Sequence, residues 1–389
     1  MLEIELKIHK IIKNIFNDQT PSNISFAVGV SGGCDSMALI FLLKKIFKFN
    51  NSIKLFALIV NHKSRHNSYI EANATKKTLE KHNIHCHILE SYLDDIPNSN
   101  IESKLREVRY NLLTNFCKEN NVNHLFIGHH QQDQAENFLI RLFRGSGIDG
   151  LAATPKINKF NNINIIRPLL SFKKSELEEY LIKNKISWVE DESNQDEKFL
   201  RNKIRHFLNS LPDKDLINQR INLASNSILI NKKIIDKNIE NISKNIAQFH
   251  EMGYIIINYN DFVKINKELG QKYLAWCLVE ISGNYYKPRF KKLKDLYCWI
   301  LQNVEEKRCL YGTIITKDIK NNQIIIYREK SAIEDSSLEN NTLWDNRFRI
   351  KYHGSNRNLK ISTINAQQLN NLEINKEDIA IKDILHTIP

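Results

Sequence analysis

Paired cysteines are missing from this chain. Its six, Cys34, Cys86, Cys117, Cys277, Cys298 and Cys309, are scattered without one CxxC spacing. That excludes a zinc ribbon, a redox pair and a disulfide framework as the basis of the fold, and makes the reducing cytoplasm the expected compartment. Long apolar runs are missing too. No stretch approaches the roughly 18 consecutive apolar residues of a membrane span, so no membrane partner is expected. The opening MLEIELKIHKIIKNIF has no apolar block of signal-peptide length and carries Glu3 and Glu5; its Ile and Leu spacing predicts a surface helix. No internal repeat is visible. Hydrophobic residues make up an ordinary 42% of 389, enough for two or three domains with cores that need no metal or disulfide.

Acidic residues are the minority sign. The formal net charge is +12 and the pI about 9.2, which points to a polyanionic partner such as nucleic acid. Residues 1–210 contain 29 basic and 23 acidic residues, so each side of Ser210 carries +6. A charge spread this evenly suits a large ligand spanning several domains; the structural alternative is a lysine-rich solvated surface.

Ile24 to Ser36 reads ISFAVGVSGGCDS, an apolar run ending in a glycine pair, and Met37 to Phe47 continues with apolar residues at helical spacing. The pattern predicts a strand buried on both faces, a tight turn and a helix. Glycines at that turn let backbone N–H groups and the positive helix end approach an anion, and Ser31 and Ser36 add hydroxyl donors. The string lacks the glycine spacing and Lys-Ser/Thr pair of an ordinary P-loop. Read structurally, Gly32 and Gly33 make a turn and Ser36 a cap. Asp35 is the discordant residue, because a carboxylate beside phosphates calls for a cation such as Mg²⁺.

Further apolar runs at Lys54–Val60, Ile84–Leu89 and His124–Gly128 alternate with helical patterns at Tyr69–Lys81 and Ile101–Asn120, which makes βαβ units and a doubly wound parallel sheet. Ser99 and Glu102 read as a capping box for the second helix. Arg106 and Arg109 then share a helical face. In such sheets ligands bind at the carboxyl ends of strands, which places His62 and Arg65 of VNHKSRHNSYIEA beside the glycine loop. The same holds for Asp133 and Glu136 of GHHQQDQAENFLIRLFRGSGIDGL, which can equally serve as helix-dipole partners. Arg144 closes that helix. The block WVEDESNQDEKFLRNKIRHFL, from Trp188, places acids before bases; Arg201, Asn202 and Arg205 either contact phosphates or form the basic end of a helix. Beyond Ser210, Asp213–Phe249 reads as one or two long helices. Tyr254–Asn258, Phe262–Ile281 and a hairpin of Gly312–Thr316 with Gln323–Tyr327 follow, and a third segment begins near Trp344. The expected domains are 1–210, 211–330 and 331–389, the last short or incomplete because the chain stops at HTIP.

SGGCDS resembles the pyrophosphate loop of the N-type ATP pyrophosphatases. Together with VNHKSR, REVRY (Arg106–Tyr110), Gly128–Leu151, RPLL (Arg167–Leu170) and Trp188–Arg205, it makes the first 206 residues similar to bacterial tRNA(Ile)-lysidine synthetases. The resemblance implies an adenine-nucleotide hydrolase-like α/β catalytic domain with smaller α+β C-terminal domains that grip tRNA, the tRNA-binding domain falling on 211–330. It implies a ligase that forms a C–N bond, joining free L-lysine to C2 of the wobble cytidine of the isoleucine tRNA with a CAU anticodon through an adenylated intermediate. ATP and Mg²⁺ are the implied cofactors, and a homodimer is admissible. The phosphate cradle falls on Ser31, Gly32, Gly33, Cys34, Asp35 and Ser36 with His62 and Arg65. The catalytic assignments fall on Asp35, Asp133, Glu136, Arg106 and Arg109, the metal on Asp35 and Asp133, and tRNA contacts on Arg144, Arg201, Asn202 and Arg205. Asn61 and Gln132 stand where many members have aspartate. The alternatives are another tRNA-modifying enzyme on the same loop, such as a thiolase, for which paired cysteines are expected; an amidotransferase, which needs a glutaminase cysteine where residue 2 is Leu; and a nucleotide-binding regulator, which needs no three acids near phosphate.

Overall fold

The computed structural model describes the chain except residues 1, 17–23, 49–52, 63–67, 92–100, 190–199, 285–286, 303–305, 334–335, 338–341, 352–359, 365–383 and 389, and except the side chains of 101–103, 336, 337 and 342. Two compact units, Met1–Lys232 and Lys233–Pro389, are described separately.

The first unit contains helices α1 (Glu3–Ile15), α2 (Cys34–Phe47), α3 (Ser68–Lys81), α4 (Ile101–Glu119), α5 (Gln131–Phe143), α6 (Ile148–Leu151), α7 (Lys174–Lys183) and α8 (Leu200–Ser210). The 33-residue α9 (Lys214–Ile246) begins in it, so the predicted long helical stretch is one helix. Strands β1 (Ser25–Gly29), β2 (Lys54–Asn61), β3 (His85–Glu90), β4 (His124–Ile127), β5 (Ile157–Phe160) and β6 (Ile163–Ile166) form one sheet in the order β3-β2-β1-β4-β6-β5. All pairings are parallel except β5–β6. Phe26, Ala27 and Val28 of β1 are fully buried, as a central strand covered on both faces requires. Helices α2, α3 and α7 cover one face around Met37, Leu39, Leu79 and Leu177. Tyr110, Leu113 and Cys117 of α4 cover the other.

Helix α1 departs from the surface helix expected. Ile4, Ile8 and Ile12, one face at 3.6-residue spacing, enter the main core, and only the opposite side faces water. The capping box expected at Ser99 lies outside the described residues. The order of strands reverses between β1 and β4, so the crevice at their carboxyl ends is the switch point where ligands bind in doubly wound folds.

In the second unit, β7 (Ala247–His250), β8 (Tyr254–Asn258), β9 (Lys307–Leu310), β10 (Thr313–Asp318) and β11 (Gln323–Arg328) form an antiparallel sheet ordered β7-β8-β11-β10-β9. With it come the short α10 (Tyr259–Val263) and the packed helices α11 (Lys267–Ser282) and α12 (Phe290–Ile300). Ile255, Ile257, Ile315, Ile324 and Ile326 alternate onto the face that meets Tyr273, Leu274, Leu278, Leu296 and Trp299. The expected hairpin turns at Asn321-Asn322, where the Asp318 carboxylate accepts from the Asn321 N–H at 3.0 Å and Asn322 takes a left-handed φ of 56°. Small strand pairs follow, β12 (Ser336–Ser337) with β15 (Lys360–Ile361) and β13 (Thr342–Trp344) with β14 (Phe348–Ile350). Buried Asp345 ties this segment to the sheet, accepting from Arg328 at 2.9 Å and Arg347 at 2.6 Å.

Candidate active site

The glycine loop is built by short-range contacts. Ser36 Oγ accepts from the Ser31 N–H at 3.1 Å and donates to the Gly33 carbonyl at 3.0 Å, closing the loop on itself. Gly32 sits at φ +87°, a conformation L side chains rarely adopt, and a Cβ there would run into Thr75 Oγ1 of α3. Its carbonyl accepts from the Val189 N–H at 2.9 Å. Gly33 is the N-cap of α2 and makes no side-chain capping bond, so the first-turn N–H groups point outward without intrahelical partners. The Cys34 thiol is turned into the core, and burial together with Asp35 pushes its pKa up to about 12. Only its backbone therefore belongs to the loop.

Strand β4 ends against this loop. A Cβ on Gly128 would lie 3.0 Å from the Asp35 carbonyl oxygen, so the absence of a side chain there permits the approach. The next residues bring carboxylates to it. His130 Nε2 lies 3.5 Å from Asp35 Oδ2 and 3.7 Å from Asp133 Oδ2, and its Nδ1 accepts the Gln132 N–H at 3.1 Å. Burial disfavours charge on this ring, but Asp133 and then Asp35 outweigh it and raise its pKa to about 9. Burial also opposes charge on Asp133, yet His130, His129 and Arg201, with the His130 N–H, hold this carboxyl well below the usual range. Asp35 Oδ1 is buried and has no hydrogen-bond partner among the described residues.

Helix α8 completes the cluster from 65 to 69 residues away in sequence. Arg201 donates to Asp133 Oδ1 at 2.7 Å and to Glu136 Oε2 at 2.8 Å, and Arg205 donates to Glu136 Oε1 at 2.7 Å. Glu136 is wholly buried, and such a carboxylate is tolerated in the interior because both oxygens are taken by guanidinium groups. Ile204 and Leu208, buried against Ala135 on α5, seat the helix; each contributes about 1.5–3 kcal/mol. Asn202 is buried. Arg144 caps the far end of α5, 11 residues beyond Asp133, or roughly 16 Å along the axis, and is exposed.

His62 follows β2 directly, and Arg106 and Arg109 lie on α4. Arg109 Nε donates to His62 Nε2 at 3.3 Å. Burial, and then Arg109, lowers the His62 pKa to about 4, so the ring is neutral at pH 7. Arg65 falls outside the described residues. Arg106 lies over the Tyr110 ring, 5.1 Å from its centre, and donates to the phenol oxygen at 3.4 Å. Buried Arg167 reaches the same oxygen at 3.4 Å and donates to His129 Nδ1 at 3.1 Å. His129, with burial dominant and Arg106 and Arg167 nearby, is held at a pKa of about 3.

The structure thus gathers Asp35, Asp133, Glu136, Arg201 and Arg205 around His130. It leaves Arg144 apart. His129, His130, Tyr110, Arg167, Gly128 and Thr75 carried no role in the sequence reading. The signals available were the His pair after a strand end, the Arg of RPLL and the Tyr of REVRY.

A glycine loop at the β1–α2 turn, facing carboxylates from the β4–α5 turn across a switch point, defines an α/β domain that handles nucleotide phosphates. Residues 3–211 match the family model described as a PP-loop domain. A protein of Wolbachia pipientis wMel named tRNA(Ile)-lysidine synthase is 34% identical over 91% of this chain and 82% of its own length. One of the same name from Rickettsia felis is 36% identical over 83% and 75%, and one from Orientia tsutsugamushi 30% identical over 87% and 78%. The chain belongs to the tRNA(Ile)-lysidine synthase family, within the PP-loop proteins.

Proposed function

We propose that this chain is a ligase that uses ATP to adenylate the C2 oxygen of the wobble cytidine of the isoleucine tRNA with a CAU anticodon. Free lysine then displaces AMP, giving lysidine and pyrophosphate overall. The observation that carries the reading is the opposition, across the β1–β4 crevice, of an outward-facing phosphate loop and a charge-matched acid–base cluster in a member of this family.

The chemistry follows from the weakness of the electrophile. An amide-like carbonyl is inert towards an amine until its oxygen becomes a good leaving group, which adenylation provides. The N–H groups of the first α2 turn, with Ser31 and Ser36, would cradle the β,γ-phosphates of ATP. The unpartnered Asp35 Oδ1 fits one carboxylate ligand of Mg²⁺, whose preferred remaining ligands are phosphate oxygens and water. Both Asp133 oxygens already face Arg201 and the His130 N–H, which makes Asp35 the better metal carboxylate of the two. When bound, the ion would offset charge on the departing pyrophosphate. Arg106, aimed by Tyr110, would neutralise the α-phosphate, with Arg109 beside neutral His62 as the second cation. Asp133 and Glu136, whose oxygens are already paired with Arg201, Arg205 and His130, would act by holding those groups in place rather than by drawing the lysine ammonium. Arg201 and Arg205 act on those carboxylates, which leaves tRNA phosphates to other cations.

The test is incubation with radiolabelled lysine, ATP and an unmodified transcript of that tRNA. ATP-dependent label in the RNA, with AMP and pyrophosphate released in equal amount, is expected. Label absent under conditions where ATP and tRNA both bind would overturn the reading.

A further inference from the structure

Among the described residues, one guanidinium of the first unit is buried and faces no acid. Arg167 follows β6 directly and is 4% exposed. It donates to His129 Nδ1 at 3.1 Å, to the Tyr110 phenol oxygen at 3.4 Å, to the Pro155 carbonyl at 3.4 Å and to the Asn158 side-chain oxygen. All four acceptors are neutral. Arg201 and Arg205, by contrast, direct their charge at Asp133 and Glu136. A buried cation without a counter-charge is costly, and an apolar side chain of similar volume fills such a space with less strain on the electrostatics. Packing alone therefore does not account for an arginine here.

What the fork supplies is direction. A guanidinium only donates, so the ring nitrogen that faces it must present a lone pair. His129 is neutral at pH 7, since burial above all holds its pKa at about 3, and it has a single ring proton to place. With Nδ1 taken as the acceptor, that proton sits on Nε2. The residue stands two positions past the end of β4, at the crevice that the glycine loop enters from β1. The phosphates of a nucleotide offer oxygen acceptors: a ring N–H meets them, and a ring lone pair repels them. We propose that Arg167 is a positioning residue for adenylation, fixing His129 as an Nε2–H donor toward bound ATP. The part in adenylation rests on the proposed reaction, whereas the choice of tautomer does not.

Nitrogen-15 imidazole spectra of the full chain at pH 7, with His129 assigned by its loss in His129→Gln, read the tautomer without any substrate. Wild type should show a bare Nδ1 and a protonated Nε2. Arg167→Lys keeps the charge but loses the rigid fork, and its spectrum should show both tautomers. Its kcat should fall about tenfold, the worth of a hydrogen bond from a charged donor. His129→Gln should lower kcat by a similar factor. On that background Arg167→Lys should add less than about threefold, because residues that act through one another are not additive. A wild-type ring protonated on Nδ1 would overturn the assignment, even where Arg167→Lys does not fold. So would a single unchanged tautomer in Arg167→Lys, or wild-type kcat in His129→Gln. Equal losses from Arg167→Lys on both backgrounds would reduce the arginine to a structural pin and overturn its part in the reaction. A wild-type protein that makes no lysidine, yet shows the Nε2 tautomer and loses it in Arg167→Lys, would instead overturn the proposed reaction and leave the hold of Arg167 on the ring standing.

Discussion

Two strand-to-helix turns meet at the β1–β4 crevice, and they are made in opposite ways. The glycine loop after β1 is closed by contacts within six residues, Ser31 to Ser36, and its special backbone is local. The acidic turn after β4 is held by arginines 65 to 69 residues downstream and by a histidine placed between carboxylates of both turns. A phosphate site needs free N–H groups and space, which a short string can encode. A cluster of buried carboxylates needs cations delivered from elsewhere, since an unpaired buried charge is prohibitively costly.

The sharpest way to separate the two turns is to remove Asp35, the carboxylate of the first. Asp35→Asn should lower turnover by roughly 10²–10³-fold with the circular dichroism of wild type, because the charge acts on the reacting phosphates, and should lower the melting temperature only slightly through the weakened contact with His130. Turnover near wild type would take Asp35 out of the mechanism.

Glu136→Gln attacks the second turn and should do the reverse, harming stability first. It leaves Arg201 and Arg205 sharing a neutral amide in a dry site, at a cost of about 3–5 kcal/mol. Urea unfolding reads this directly, and a loss under about 1 kcal/mol would show that the arginine pair is not what seats α8 on α5.

The contact between the turns can be probed at Gly128. Gly128→Ala presses a methyl into the Asp35 backbone and should cost about 1–3 kcal/mol. Gly33→Ala, at an ordinary φ of −74° with nothing nearer than 3.6 Å, should melt like wild type and lose ATP affinity only. Equal melting of the two variants would mean that the turns do not touch as described.

His130 supplies a pH signature. Its folded pKa is about 9 against an ordinary 6.5, so its contribution to stability is fully present below pH 6.5 and is lost as pH rises through about 9. The stability difference between wild type and His130→Asn should therefore shrink across that window in urea titrations. A difference independent of pH would show that the Gln132 N–H keeps the ring neutral.

The smallest effect belongs to Tyr110→Phe. Losing the phenol oxygen that Arg106 and Arg167 share should raise the KM for ATP by roughly 2–10-fold with kcat little changed. An unchanged KM would mean that Arg106 needs no such guide.

Sequence by itself determined the parallel sheet, the positions of β1, β2, β3 and β4 to within a residue or two, the glycine loop and the grouping of Asp35 with Asp133. Each of these depends on local periodicity, on turn chemistry, or on the rule that strand ends converge at a switch point. It misplaced α1, because an amphipathic helix reads the same whether its apolar face meets a core or a shallow surface. Only the tertiary structure decided the partners of Asp133 and Glu136. Arg201 and Arg205 looked as suited to phosphate as to carboxylate, since a guanidinium carries the same charge and fork in either role. What selects between them is which oxygen is buried within reach, and that is set by the packing of Ile204 and Leu208 of α8 against α5 rather than by any property of the arginines themselves.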